Sequence, residues 1–142
     1  MTEEGKSMLI AHEGEILHAY EDSLGFLTIG IGHLIDARKG GGIPKRISRE
    51  LFEDDVNIAT ARARMAFPWF DGLDPVRQDA IVNLVFNLGL DGVKGFRLMC
   101  EAMERHDWER AAYELYNSRW SHQVQRERCQ DLIGAIEKGK WA

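Results

Sequence analysis

The chain has 142 residues, of which 44% are hydrophobic and 29% charged, and its formal net charge is −5. This length suits one compact domain, and the composition excludes a disordered chain. No apolar run approaches the roughly 18 residues that span a bilayer, so no stable membrane insertion is expected. The acidic balance argues against nucleic acid as a partner, because phosphate binding depends on clustered lysines and arginines. The acidic start also differs from a basic secretory signal, so no export signal is expected.

The first elements are a helix and a small β region. Residues 3–12 begin with acidic side chains, which favour a helix N-terminus, so they predict a short helix that ends near Glu13. Glycines divide residues 16–34 into short stretches rich in β-branched and aromatic residues, which is typical of strands. Residues 22–25 read as a tight turn between two of these strands.

The middle of the chain predicts a loop followed by a long helix. Three consecutive glycines and a proline make residues 36–47 a mobile or variable loop. Ser48 is the expected N-cap of a helix over 48–66, which we expect to join two lobes.

The C-terminal half predicts only helices. Asp74 and Pro75 are a strong helix start, and Gly89 is the expected C-terminal cap of that helix. Further helices are expected over 93–104, 107–117 and 125–138. The two cysteines, Cys100 and Cys129, are expected to be free thiols. The predicted fold class is therefore α+β and mostly α.

Two carboxylates and a hydroxyl stand out in the β region. Eight residues separate Glu13 from Asp22, and five separate Asp22 from Thr28. Glycosidic bond cleavage needs an acid that protonates the leaving oxygen and a second carboxylate that supports charge or activates water. A general acid must hold its proton near neutrality, which burial favours, so we expect Glu13 to be partly buried and Asp22 to be more solvated. A water held by Thr28 would suit an inverting mechanism.

His33 closes this segment and invites a metal or general-base interpretation. The other histidines fall in no recognisable ligand spacing, so a structural histidine is favoured, and Asp55 on the following helix is a reasonable partner. No metal and no cofactor are expected.

Longer sequence motifs show a resemblance to a known family. The chain resembles the lysozymes of glycoside hydrolase family 24, the phage endolysins of the T-even type. The matching words keep their order along most of the chain: Glu13-Gly14, YEDSLGFLTIGIGHLI (20–35), LFEDDV (51–56), LDPVRQDAIVNLVFNLG (73–89), GVKGF (92–96) and SRW (118–120). They are far more specific than the pair of acids alone.

The resemblance implies a lysozyme-like fold: an N-terminal lobe over about 13–55, a linking helix over about 48–66, and a helical lobe over about 67–142 packed with helix 1–12. It implies that Glu13 is the proton donor, Asp22 the second carboxylate and Thr28 the residue that positions water. The remaining matches are two residues that line the substrate cleft, a structural ion pair, and an arginine that pairs with the catalytic glutamate: Leu34 and Phe86, His33 and Asp55, and Arg126, with Arg128 as the alternative.

The implied activity is an inverting muramidase, a monomer that cleaves the β-1,4 bond between N-acetylmuramic acid and N-acetylglucosamine of bacterial peptidoglycan. A phage endolysin of this kind is made in the host cytoplasm and depends on a holin to reach the wall. Two alternatives stay open, namely a virion-associated or secreted wall-degrading effector of the same fold, and a non-catalytic glycan-binding module. Residues 36–50 replace a longer segment of the family, so we expect one wall of the cleft to be shorter and subsite preference to differ.

Overall fold

The computed structural model describes residues 1–38 and 42–141. They form two compact units, Met1–Phe52 and Glu53–Ala142. The architecture is α+β and mostly helical, which confirms the predicted fold class. In the part of the chain that the structure describes, no helix is both long and apolar enough to cross a membrane.

The N-terminal unit begins with helix α1 (Glu3–Glu13), whose first turn is capped by the Thr2 hydroxyl accepting a hydrogen bond from the Gly5 N–H at 3.1 Å. An antiparallel sheet follows in the order β1-β2-β3, formed by β1 (Ile16–Glu21), β2 (Leu27–Gly30) and β3 (His33–Leu34). Both elements lie where the sequence predicts them.

Helix α2 (Lys45–Ala66) begins three residues earlier than expected. The predicted N-cap, Ser48, lies inside the helix, and its N–H donates to the Pro44 carbonyl at 3.1 Å. Proline has a fixed φ that is compatible with a helix, so the chain can turn into α2 directly after Pro44 and the capping preference of serine is not needed. Of the predicted glycine-rich loop, Lys39, Gly40 and Gly41 lie outside the described residues.

The second unit contains the other helices: α3 (Pro75–Lys94), α4 (Arg97–Glu104), α5 (Trp108–Tyr116) and α6 (Arg126–Lys138). Helix α3 starts as predicted, because the Asp74 carboxylate accepts the Arg77 N–H at 3.2 Å. Gly89 has φ 71° and ψ 167°, so the regular helix breaks there and then resumes. The first helical part of α3 therefore ends at the predicted glycine, and a second part continues to Lys94.

The buried hydrophobic side chains of the described residues all belong to this second unit. The largest of those that are less than 2% exposed are Phe70, Ile81, Leu84, Val93, Met99, Met103, Leu115, Leu132 and Ile136. Both cysteines are free, as predicted, and burial raises the pKa of the Cys100 thiol to about 11. The core is thus built by helix packing without a disulfide.

Candidate active site

Glu13, the predicted proton donor, is the last residue of α1 and reaches the turn between β2 and β3. A Cβ atom placed on Gly32 in that turn would lie 3.0 Å from Glu13 Oε2 and 3.6 Å from its Cδ. The carboxyl group therefore lies directly against a backbone position that has no side chain. Gly32 also has φ 64°, a conformation that glycine adopts without strain.

The expected burial of the two acids is wrong. The Glu13 side chain is exposed, whereas Asp22 is half-buried. Glu13 ends a helix that contains no buried residue, and the chain turns away at Gly14, which has φ 74°. Asp22 instead lies under its own turn, where backbone atoms cover one of its oxygens.

Asp22 and Thr28 are linked through Phe26. Asp22 Oδ1 accepts the N–H groups of Leu24 and Phe26, each at 2.9 Å, which fixes the carboxylate within the predicted turn. The carbonyl oxygen of Phe26 accepts both the Asp22 N–H at 2.9 Å and the Thr28 hydroxyl at 3.3 Å. One short turn therefore orients both the second carboxylate and the hydroxyl.

Thr28 lies in the central strand and is 5% exposed, which makes it the one buried polar residue among those that the structure describes. It is paired with Tyr20 on one side and with Leu34 on the other. Leu34, a predicted cleft residue, is 43% exposed. The sheet thus places an exposed apolar side chain next to the buried hydroxyl.

His33 is exposed on β3 opposite Ile29.

Asp36 lies just after β3 and accepts several hydrogen bonds. Its carboxylate accepts hydrogen bonds from the Arg38 N–H, the Arg38 side chain and the Gly42 N–H at 2.8–3.1 Å. The Arg38 guanidinium and these two N–H groups hold the pKa of Asp36 far below its usual range, although desolvation opposes them. Arg38 and Gly42 are therefore both bound to the Asp36 carboxylate.

The other predicted residues lie on the second unit. Phe86 is 46% exposed and lines an open groove of about 320 Å³ between α2 and α3, to which Asp55 also contributes. Arg126 is exposed at the first residue of α6. Arg128 is half-buried, and its Nη2 donates to Asn83 Oδ1 at 2.6 Å. The pairing of His33 with Asp55, and of Glu13 with either arginine, stays a prediction.

Two features of the site were not found from the sequence. Gly32 matters because the Glu13 carboxyl group lies against it, and its place in the word GIGH was the only signal. Arg62 lines the groove beside Phe86, and only its position seven residues after Asp55 could have indicated this. Within residues 1–38 and 42–141, no group of three or more histidine, cysteine, aspartate or glutamate side chains is placed to hold a metal ion.

Comparisons with known proteins identify the family of the chain. The family model described as phage lysozyme matches residues 10–136. The chain is 33% identical over 160 residues to "Probable T4-type lysozyme 1" of Dictyostelium discoideum, with 94% of both chains covered. It is 30% identical to the "Pre-baseplate central spike protein Gp5" of Enterobacteria phage T4, over 82% of this chain and 25% of that protein.

A third relative, the "Endolysin" of Salmonella phage P22, is 33% identical over 64% of each chain. The matched family region contains all three predicted catalytic residues, Glu13, Asp22 and Thr28, and extends through most of α6. With its lysozyme-like α+β fold, the chain therefore belongs to the phage lysozyme family, glycoside hydrolase family 24, and is a hydrolase of the lysozyme type.

Proposed function

We propose that the protein is a peptidoglycan-degrading endolysin that hydrolyses the β-1,4 bond between N-acetylmuramic acid and N-acetylglucosamine. The observation that carries this proposal is the hydrogen-bonded turn between β1 and β2, which orients Asp22 and Thr28 together. The next turn, between β2 and β3, contacts Glu13 through Gly32. A general acid, a second carboxylate and a water-binding hydroxyl are the groups that this reaction requires.

In the proposed reaction the Glu13 carboxyl group gives its proton to the glycosidic oxygen as the bond to the anomeric carbon breaks. Asp22 stabilises the positive charge that develops on the sugar and accepts the proton that the attacking water gives up. The Thr28 hydroxyl donates to the Phe26 carbonyl, so its lone pairs are available to accept a hydrogen bond from that water. Attack from the face opposite the leaving group inverts the anomeric centre.

The supporting roles follow from the family resemblance. Leu34 and Phe86 are proposed to line the substrate cleft, and both are substantially exposed. His33 and Asp55 are proposed to form a structural ion pair, and Arg126 to pair with Glu13. Arg128 is the weaker choice because Asn83 already holds its guanidinium. The proposed scheme uses no metal and no cofactor.

Mass spectrometry of digested peptidoglycan tests the reaction. We expect new reducing ends on muramic acid, released by water, and loss of this product with Glu13→Gln, since removal of a general acid costs about 10²- to 10⁴-fold. Glu15→Gln is the matched control, because Glu15 is an exposed glutamate two residues away in the loop before β1. A 1,6-anhydromuramic product, or undiminished activity in Glu13→Gln, would contradict the proposal.

The stereochemistry needs its own measurement. Proton NMR of a freshly started digest should show the α-anomer of the new reducing end first if the mechanism inverts. An initial β-anomer would require a covalent intermediate and would remove the water-positioning role from Thr28.

We place the activity in phage lysis, with synthesis in the cytoplasm of the host and release to the wall through a holin. The similarity to a phage baseplate spike protein favours a second context, in which the same hydrolase acts from a virion. A neighbouring holin gene would support lysis, and neighbouring tail genes would support the virion. Glycan binding without release of reducing ends would instead indicate a non-catalytic binding module.

A further inference from the structure

The groove between α2 and α3 combines an aromatic ring, an apolar floor and two opposite charges. Its volume is about 320 Å³, and it lies wholly within the second unit. Helix α2 contributes Asp55, Ile58, Ala59 and Arg62, and α3 contributes Val85, Phe86 and Gly89.

The helical repeat places the two charges at opposite ends of the groove. Asp55 and Arg62 are seven residues apart, which corresponds to two turns and about 10 Å along α2. Ile58 and Ala59 lie between them on the same face. On the opposite side the kink at Gly89 leaves open space, because a Cβ atom there would meet nothing within 4 Å.

Arg62 differs from the arginine two residues further along the same helix. Arg64 Nε is bonded to Asp71 Oδ1 at 2.7 Å, and its guanidinium lies 5.7 Å from the centre of the Phe70 ring. Arg62 is exposed, and no carboxylate or hydrogen-bond acceptor among the described residues engages its side chain. Its charge is therefore available to a ligand that occupies the groove.

We infer that Arg62 is a specificity residue that binds a carboxylate of the peptide stem of peptidoglycan while the attached sugar lies against Phe86. This inference rests on the proposed function. Muramic acid carries its peptide close to the sugar ring, and the stem ends in carboxylates, so one ligand presents both an apolar sugar face and an anion. An aromatic ring with a nearby guanidinium matches that combination.

Arg62 also sets an orientation, because the anion of the stem binds at the Arg62 end of the groove. The protein as a whole has a net charge of −5 and repels an anionic wall. A single unpaired cation in the groove therefore distinguishes a glycan that bears stems from one that does not.

Steady-state kinetics on two substrates test this role. One substrate is soluble peptidoglycan strands with intact stems, and the other is the same strands after an amidase has removed the stems. With Arg62→Gln we expect KM to rise roughly threefold to tenfold on the first substrate, with kcat unchanged, and no change on the second. Arg62→Lys should retain part of the preference because the charge remains.

Arg64→Gln is the matched control, since it removes the same charge from the same helix outside the groove, and it should leave KM for both substrates unchanged. Thermal melting of each variant verifies that it is folded. An equal rise in KM on both substrates, or no rise on either, would overturn the inference.

Failure of the inference can be told apart from failure of the proposed function. An active wild-type enzyme whose kinetics do not depend on Arg62 contradicts only the role of Arg62. A wild-type protein that releases no reducing ends contradicts the proposed function, and calorimetric binding of stem-bearing and stem-free strands then tests Arg62 without turnover. Equal affinity of wild type and Arg62→Gln for the stem-bearing strands would reject its role in that case.

Discussion

The two units of this protein are stabilised in different ways. In Glu53–Ala142, side chains from five helices form a buried core of aliphatic, aromatic and methionine residues. In Met1–Phe52, Thr28 is the one residue buried among those described, and the structure depends on a helix cap, a turn and backbone pairing. The predicted catalytic residues all lie in the unit without a hydrophobic core.

This difference separates stability from chemistry. A hydrophobic core contributes most of the free energy of folding, roughly 25 cal/mol for each Å² of apolar surface that is buried. Hydrogen bonds within a turn contribute less to the free energy of folding, but they fix the orientation of the groups that they join. Substitutions in the core of the second unit should therefore change the free energy of unfolding, and substitutions at the turns of the first should change activity.

The largest effect on stability is expected for Leu84→Ala, because Leu84 is fully buried on α3. The cavity should lower the free energy of unfolding by about 2–5 kcal/mol, while kcat of the folded enzyme at low temperature stays near the wild-type value. Urea unfolding measures the first quantity. Leu98→Ala, on a side chain that is 54% exposed, should cost under about 0.5 kcal/mol. A comparable loss in both variants would contradict the assignment of Leu84 to the core and of Leu98 to the surface.

The next effect is on activity. Gly32→Ala would place a methyl group 3.0 Å from Glu13 Oε2 and displace the carboxyl group, so kcat should fall roughly tenfold to a hundredfold. Gly30→Ala is the control, because Gly30 ends β2 just before this turn and has a similar φ of 67°, yet its added methyl would meet nothing within 4 Å. The two variants should melt at similar temperatures. An equal fall in kcat in the two variants would show that backbone strain, and not the contact with Glu13, causes the loss of activity.

The smallest effect concerns Asp74 at the start of α3. Desolvation opposes ionisation of Asp74, but hydrogen bonds from Arg77 outweigh it and hold the pKa of the carboxyl group below its usual value. Its contribution to stability is therefore complete above the unfolded pKa of about 3.9 and is lost as pH falls through the lowered folded value.

Asp74→Asn keeps an N-cap oxygen and removes the charge. It should cost no more than roughly 1 kcal/mol at pH 6, because water screens this partly exposed pair, and the difference from wild type should shrink towards pH 2. Chemical denaturation at the two pH values measures it. A difference that grows in acid would mean that the sign of the pKa shift is wrong.

Helix boundaries set by local chemistry were predictable from the sequence. Asp74 and Pro75 begin α3 as expected, and the break at Gly89 lies at the predicted glycine. The start of α2 is not predicted correctly by the capping preference of Ser48, because Pro44 already allows the helix to begin at Lys45. The expected burial of Glu13 is also wrong, because burial depends on packing, which the spacing of residues along the chain does not reveal.

The candidate site was predictable as far as it lies in one segment. Asp22 and Thr28 are joined by a turn whose residues are consecutive, so their spacing contained the information. Arg62 and Phe86 line one groove only because α2 and α3 are neighbours in the fold, and no local pattern reports that. Gly32 matters because it has no Cβ atom, which leaves room for the Glu13 carboxyl group. This can be recognised only once the position of Glu13 is known.

The shared carbonyl of Phe26 has a consequence for how this site can change during evolution. One oxygen atom receives the backbone of the second carboxylate and the hydroxyl of the threonine. A substitution that moves this carbonyl changes the positions of both Asp22 and Thr28. The effects on fitness of substitutions around these two residues are therefore coupled rather than additive. The backbone conformation at Phe26 is therefore under the same constraint as the predicted catalytic pair, Asp22 and Thr28.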